Sequence, residues 1–484
     1  MTNWRWVMCA MLFFATTVNY MDRQVLSLTF KEFIQPEFHW TDNHYGTITG
    51  WFSIAYAVFC LFAGKFIDWM GTKKGYLWAI VIWSFGAVAH AFCGIAATWC
   101  IDEINSVEAL RAVEAGSAVA ATLAMVSVWL FLACRMILGL GEAGNFPAAI
   151  KVTAEYFPKK DRAFATALFN AGASVGALAA PATIPLLAKA MGWEWAFIVI
   201  GALGFVWAGI WVFVYDKPEE SKHVNAAELA YIHSDEVDAP KEEAKEEKQM
   251  SFVEAFKHKQ TWSFAFGKFM TDGVWWFFLF WAPAYFHDQF GIKASDPQGV
   301  ALIFTLYAIV TVISLFGGYL PKIFVEKKGM EPYAGRMRAM LIFAFFPIIA
   351  LFAQPLGQTY GPWAVAIIIG IVGAAHQSWS ANIFSTVGDM FPKSAVATIT
   401  GIGAMAGGLG SFIINKGSGR LFTHAATVHQ AFMDGTLPTD FEFFGFTGKP
   451  AGYMIVFCIC AVAYLIGWSV MKTLVPKYKP VVVK

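Results

Sequence analysis

Charge is what this 484-residue chain has least of: Asp, Glu, Lys and Arg together make up 14% of it, against roughly 25% in a soluble globular domain. That deficit excludes an ordinary water-soluble fold, whose outer surface needs more charged side chains than these. Cysteine is sparse as well. The seven cysteines (Cys9, Cys60, Cys93, Cys100, Cys134, Cys458 and Cys460) nearly all sit inside apolar runs. They lack metal-ligand or disulfide-framework spacing and read as small core residues. No Walker loop, strand followed by GxGxxG, nucleophile elbow or metal-binding cluster occurs in a suitable context. An ATP-driven pump is thereby excluded, and no enzyme chemistry, cofactor or metal is assigned. The formal net charge is +1 and no basic tract is long enough for nucleic acid.

Apolar residues fill the gap. Hydrophobic side chains make up 57% of the chain and aromatic ones 17%, and the mean hydropathy is +0.53. Apolar runs of about 20 residues recur from end to end, each able to cross a hydrocarbon core of roughly 30 Å. Backbone groups in lipid must be satisfied within the segment, so these runs are predicted to be helices. They cover 5–28, 44–64, 76–99, 126–152, 162–188 and 194–215, then 260–287, 298–319, 337–356, 362–388, 395–420 and 451–473. The expectation is an all-α membrane protein of twelve transmembrane helices in two six-helix halves, 1–215 and 260–484, joined by a linker at 216–259. The first run has no small-residue cleavage site and continues into Asn19-Tyr20-Met21-Asp22-Arg23, so it reads as a retained span.

The linker is charged throughout, and 241–248 (KEEAKEEK) has Glu and Lys at helical i,i+4 spacing, the pattern of a solvated amphipathic segment. With the N-terminus inside, the inner segments together with the inner ends of the spans hold 25 Lys and Arg residues, and the outer loops five: Lys31, Arg111, Lys189, Lys293 and Lys449. This asymmetry predicts both termini and the linker in the cytoplasm of a cell whose inner (plasma) membrane holds the chain. The outer loops near 100–125 and 421–450 show no readable period. Glu155-Tyr156-Phe157-Pro158-Lys159 and Asp389-Met390-Phe391-Pro392-Lys393 lie 234 residues apart, each between two spans and before a Gly-rich helix. Two parallel repeats with a substrate site at their interface are expected.

An ionisable residue inside a span costs free energy and reads as functional by default. Asp22 and Arg23 lie deep in the first span. Arg135 and Glu142 lie seven residues apart on the fourth, on one face and about 10.5 Å apart along the axis. Arginine offers a planar fork that takes a carboxylate with two hydrogen bonds, and a partly buried carboxyl can exchange protons. The plain alternative is a pair of static ion pairs, Asp22 with Arg23 and Arg135 with Glu142. Lys268 and Asp272, at i,i+4 on the seventh span, can close on each other; Lys416 and Arg420, toward the outer end of the eleventh, can snorkel. The second half offers polar groups instead. His376, Gln377, Ser378, Trp379, Ser380 and Asn382 crowd the tenth span, a density that suits a hydroxyl-rich ligand. Tyr56 on the second span and Trp275 and Trp276 on the seventh add rings, which in the plain reading serve packing. Glycines of the fourth, fifth and eleventh spans permit close helix contact.

Gly64-Lys-Phe-Ile-Asp68-Trp-Met-Gly71-Thr-Lys73-Lys74, between the second and third spans, resembles the loop signature of the major facilitator superfamily. It departs from that signature at Trp69, where a basic residue is usual, and the counterpart near Gly317 and Gly318 has Lys322 where an acid is typical. Asn19-Tyr20-Met21-Asp22-Arg23 and Arg135-Met-Ile-Leu-Gly139-Leu-Gly141-Glu142-Ala143 resemble the anion:cation symporter family within it. Asn145-Phe-Pro147, Thr271-Asp272-Gly-Val-Trp275-Trp276, His376-Gln377-Ser-Trp379-Ser-Ala-Asn382 and Met405-Ala-Gly-Gly-Leu-Gly410 are similar to its hexuronate branch. The resemblance implies the major facilitator fold and a symporter that imports a sugar acid with protons by alternating access, as a monomer in the bilayer. It implies that Arg23 and Arg135 hold the substrate carboxylate and that Asp22 and Glu142 handle the proton, with Asp272 the next candidate. Tyr20, Tyr56 and Trp379 would line the sugar site beside His376, Gln377 and Asn382. Gly64, Asp68, Gly71, Lys73 and Lys74 would form the gating loop. Met405, where some aldonate carriers have an Asn, argues against an aldonate such as galactonate and is compatible with glucuronate or galacturonate. Other readings are the same fold carrying an aldonate, aldarate or sialic acid, and a transport-inactive sensor, which need not keep both acids.

Overall fold

The computed structural model describes residues 2–234, 250–317 and 319–481, so the KEEAKEEK stretch and Gly318 lie outside the described residues. Twelve long helices follow one another: α1 (Trp4–Thr29), α2 (Asp42–Met70), α3 (Thr72–Cys100), α4 (Ala118–Tyr156), α5 (Lys159–Met191), α6 (Trp193–Val214), α7 (Lys259–Phe290), α8 (Pro297–Lys328), α9 (Pro332–Tyr360), α10 (Pro362–Met390), α11 (Lys393–Met433) and α12 (Lys449–Leu474). All except α1 and α7 qualify as membrane spans by length and composition. Those two are long enough to span, at 26 and 32 residues. They carry Asp22 with Arg23 and Lys268 with Asp272.

The outer loops are more ordered than the sequence suggests. Helix α11 runs to Met433, well past the expected end at 420, because Thr423, His424, Thr427, His429 and Gln430 interrupt the apolar run there without interrupting the helix. A two-stranded hairpin follows, β1 (Glu442–Phe443) antiparallel to β2 (Phe446–Thr447). Helix α4 starts at Ala118 rather than 126, capped by the Ser117 hydroxyl, which accepts from the Ala120 N–H at 3.1 Å. All seven cysteines are free, and Cys100 alone is exposed.

The first part of the linker packs rather than floats. Glu228, enclosed on the short helix Ala226–Ile232, accepts from the Trp4 and Arg5 N–H groups at 3.1 Å each and from Arg5 Nη1 at 3.2 Å. These are first-turn amides of α1 that have no intrahelical acceptor, which is why a carboxylate settles there.

Helices α1–α6 meet α7–α12 along α2 against α11, α5 against α8, and α1 against α7. On the first of these seams the backbones nearly touch: a Cβ on Gly46 would lie 2.6 Å from the Asn415 carbonyl oxygen, and one on Gly419 2.5 Å from that of Asp42, so only glycine fits. Lys416 belongs to this seam. Instead of snorkelling, its ammonium donates across to Asn43 Oδ1 at 3.2 Å and to Thr47 Oγ1.

At the end opposite the termini the seam is also pinned by four charges, two from each half, of which Lys31 and Asp42 are buried and Asp288 and Lys449 partly so. Lys31 Nζ lies 2.6 Å from Asp42 Oδ1 and 3.0 Å from Asp288 Oδ1, while Lys449 Nζ lies 2.8 Å from Asp42 Oδ2 and 3.5 Å from Asp288 Oδ2. Tyr45 donates to the Phe280 carbonyl oxygen at 2.7 Å, and Ser295 Oγ to Glu32 Oε1 at 2.6 Å, both between halves. At the end bearing the termini, the ion pairs among the described residues stay within one half, as in Lys73–Asp216, Lys151–Asp68 and Arg336–Asp389. The structure is thus sealed at the end away from the termini. Removing one member of a buried ion cluster strands its partners, at a cost of about 3–5 kcal/mol. Asp288→Asn is therefore expected to loosen this seal, so that a cysteine at Ser53, buried on α2, reacts faster with a bulky maleimide added from that side. An unchanged labelling rate would show that the cluster does not hold the seam.

Candidate functional site

About three-quarters of the way along α1, Asp22 and Arg23 point in different directions, as neighbours on a helix must. Arg23 reaches α4, where its Nε and Nη2 donate to Glu142 Oε2 at 3.1 and 2.8 Å. Two turns earlier on α4, Arg135 Nη2 donates to the Arg23 carbonyl oxygen at 3.4 Å. Its Nη1 is buried without a hydrogen-bond partner, and among the described residues no carboxylate forms an ion pair with it. Both carboxylate oxygens of Asp22 and Oε1 of Glu142 are equally without partners. All four side chains are buried. The two static pairs that sequence spacing allows, Asp22 with Arg23 and Arg135 with Glu142, are not the ones formed. One inter-helix pair, Arg23 with Glu142, replaces them, because seven residues on one helix is too far for direct contact and the neighbouring helix brings a cation closer.

Three rings surround the Arg23 guanidinium. Its carbon lies 5.4 Å from the ring centre of Tyr20, 4.6 Å from that of Tyr56 and 5.2 Å from that of Trp276. Tyr20 and Tyr56 come from α1 and α2, and Trp276 comes from α7 in the other half. Phe52 lies under Arg135 at 5.3 Å and continues the aromatic wall to Trp276 and Phe280.

In the second half, His376 Nδ1 is 2.7 Å from the Tyr464 hydroxyl, and the imidazole stacks on Trp275 with ring centres 5.5 Å apart. Trp275 and Trp276, adjacent on α7, therefore join the His376 group to the Arg23 group. Gln377 is half-buried on the same helix. Trp379 is fully enclosed, edge-on to Tyr464, with its N–H buried and without a partner. Asn382 sits nearer the terminal end, donating to the Ser378 carbonyl oxygen at 2.8 Å and lining a recess of about 360 Å³ with Lys322 and Arg336. Lys268 and Asp272 close on each other at 2.7 Å, as their spacing allows, and Asp272 packs on α11 where Gly407 leaves room.

The loop residues Gly64, Asp68, Gly71, Lys73 and Lys74 lie where α2 turns into α3. Gly71 has φ +77° there, a conformation that favours glycine. Asp68 pairs with Lys151 at 2.7 Å and Lys73 with Asp216 at 2.8 Å. The repeated acids at 155 and 389 found different partners. Asp389 takes two hydrogen bonds from Arg336, at 2.7 and 3.2 Å, while Glu155 accepts from the hydroxyls of Thr72, at 2.6 Å, and Tyr215.

The signature of the Major Facilitator Superfamily matches residues 12–414. The chain belongs to that superfamily. Membership makes it a multi-pass membrane transporter and not an enzyme. It is 28% identical over 410 residues to the hexuronate transporter of Escherichia coli K12, covering 84% of this chain and 85% of that one. It is 27% identical to the galacturonate transporter of Dickeya chrysanthemi, over 72% of this chain and 92% of that one. Its fold matches the inward-facing, unoccupied crystal structure of a bacterial homologue of the human lysosomal transporter Spinster with a TM-score of 0.70 at 17% identity, over 97% and 98% of the two chains. Within this superfamily fold, α7 touches both groups, through Trp276 at Arg23 and Trp275 at His376.

Sequence reasoning noted Trp276 but left it out of the site, and treated Lys31 and Lys449 as loop charges. The signal for Trp276 was its place on the same helix as Lys268 and Asp272. For Lys31 there was none, since only folding brings it to Asp288.

Proposed function

We propose that this superfamily member imports a sugar acid, a hexuronate such as galacturonate, together with a proton, by alternating access. One observation carries the reading. Arg135 is buried with an unpaired guanidinium nitrogen, and Glu142 is the one carboxylate bonded to its neighbour Arg23 among the described residues, so two cations share one bonded carboxylate. A buried cation lacking a fixed partner is costly, and an incoming carboxylate on the Arg135 fork relieves that cost. The names of the similar transporters, hexuronate and galacturonate, point to the same ligand class. A substrate carboxylate that recruits Arg23 as well releases Glu142, and a released carboxyl is a place for the proton. Asp22, whose oxygens hold no fixed hydrogen bond, can take up a proton without breaking the architecture. The reading includes cytoplasmic termini in an inner membrane, a monomer, and the proton as the only coupling ion.

Purified protein in liposomes tests it. Labelled galacturonate is expected to accumulate when the outside is acidified, and to equilibrate without accumulating when the gradient is collapsed by a protonophore. Accumulation driven equally well by sodium at uniform pH, or no uptake at all, would overturn the reading.

A further inference from the structure

We infer that Trp276, with Tyr20 and Tyr56, makes the Arg23 site selective for a sugar acid closed into a ring over the same acid as an open chain. The inference rests on the sugar-acid reading above and deepens it. Three aromatic faces from three helices converge on one guanidinium, at 4.6 to 5.4 Å. The three rings are only half-buried, whereas Trp83, Trp211, Trp281 and Trp379 are fully enclosed. Packing therefore explains those four, while the rings around Arg23 keep surface free for a ligand.

A carboxylate bound at this cation places its attached carbon skeleton against the rings. A pyranose presents there a flat face of C–H groups whose partial positive charge suits the π-face of an indole or phenol. Its torsions are already fixed, so it loses little freedom on binding, whereas an open chain must be frozen bond by bond. Trp276 is the only one of the three that comes from the second half. A ring lying on it touches both halves at once, while its carboxylate stays with α1 and α4.

D-Galacturonate and L-galactonate separate the two cases. The second is the first with its aldehyde carbon reduced: carboxylate, carbon skeleton and hydroxyl stereocentres are kept, but no hemiacetal ring can form. Affinities measured by calorimetry on the purified protein are expected to favour galacturonate by about tenfold. Trp276→Leu, which keeps apolar bulk but has no π-face, is expected to weaken galacturonate about fivefold and L-galactonate less than about twofold. Trp276→Phe is expected to restore most of the preference, and it stands in if the Leu variant fails to fold. Equal affinity of the wild-type protein for both acids, or an equal loss for both in Trp276→Leu, overturns the inference while leaving the sugar-acid reading in place. Binding of neither acid overturns both.

Discussion

Arg135→Lys is expected to weaken sugar-acid binding by about tenfold to a hundredfold, although the charge is kept. Arg135 is enclosed on α4, with one nitrogen on the Arg23 carbonyl oxygen and Nη1 free of protein partners. Only a planar fork can hold the backbone with one arm and offer the other to a ligand. A lysine ammonium is a point charge on a thinner stem, and it would turn to the Arg23 carbonyl oxygen or to the ligand, not both. Loss of one charge-assisted hydrogen bond costs about 1.5–3 kcal/mol, the source of that range. Calorimetric titration of purified protein with galacturonate is the check. Wild-type affinity in Arg135→Lys would remove this residue from the binding site.

Glu142→Gln is expected to abolish concentrative uptake while leaving exchange. The substitution mimics the protonated acid permanently and dissolves the ion pair that Arg23 makes through Nε and Nη2. Arg23 is then always available to the substrate, so binding and the passage of loaded carrier persist. The step that ties passage to proton movement is gone. In liposomes, counterflow of labelled galacturonate should continue, and accumulation driven by an imposed pH gradient should fall to the equilibrium level. An anion moving with one proton carries no net charge, so the membrane potential, about 2.3 kcal/mol per charge per 100 mV, does not drive it. A tenfold proton gradient alone is worth about 1.4 kcal/mol. Asp22→Asn should either show the same separation or lose transport, since the acid sits next to Arg23 in the chain. If both variants accumulate substrate normally, neither acid carries the proton, and Asp272, paired with Lys268 on α7, becomes the next residue to change.

The helices were legible because lipid imposes a one-dimensional rule. A run of about 20 apolar residues is helical wherever it falls. The rule places helices but not their ends: α4 begins at Ala118 although 118–125 is itself apolar, and α11 continues to Met433 through interspersed polar residues. Charge placed inside spans also made Asp22, Arg23, Arg135 and Glu142 visible, since each costs too much to be incidental.

Composition and hydropathy by themselves determined that this chain lives in a membrane, that it has long helices in two sets, and which charges lie among them. These follow from free energies that each residue pays to its own surroundings. Which charge meets which was decided only in three dimensions. Arg23 and Glu142 are 119 residues apart, and helical periodicity says which face a side chain occupies but not which helix lies opposite. The turning of Trp276 toward Arg23 and the joining of Lys31 to Asp288 likewise depend on the packing of helices from both halves, and the enclosure of Trp379 on packing against Tyr464 of α12. A pair energy that falls steeply with distance cannot be read from a sequence that carries no distances between its helices.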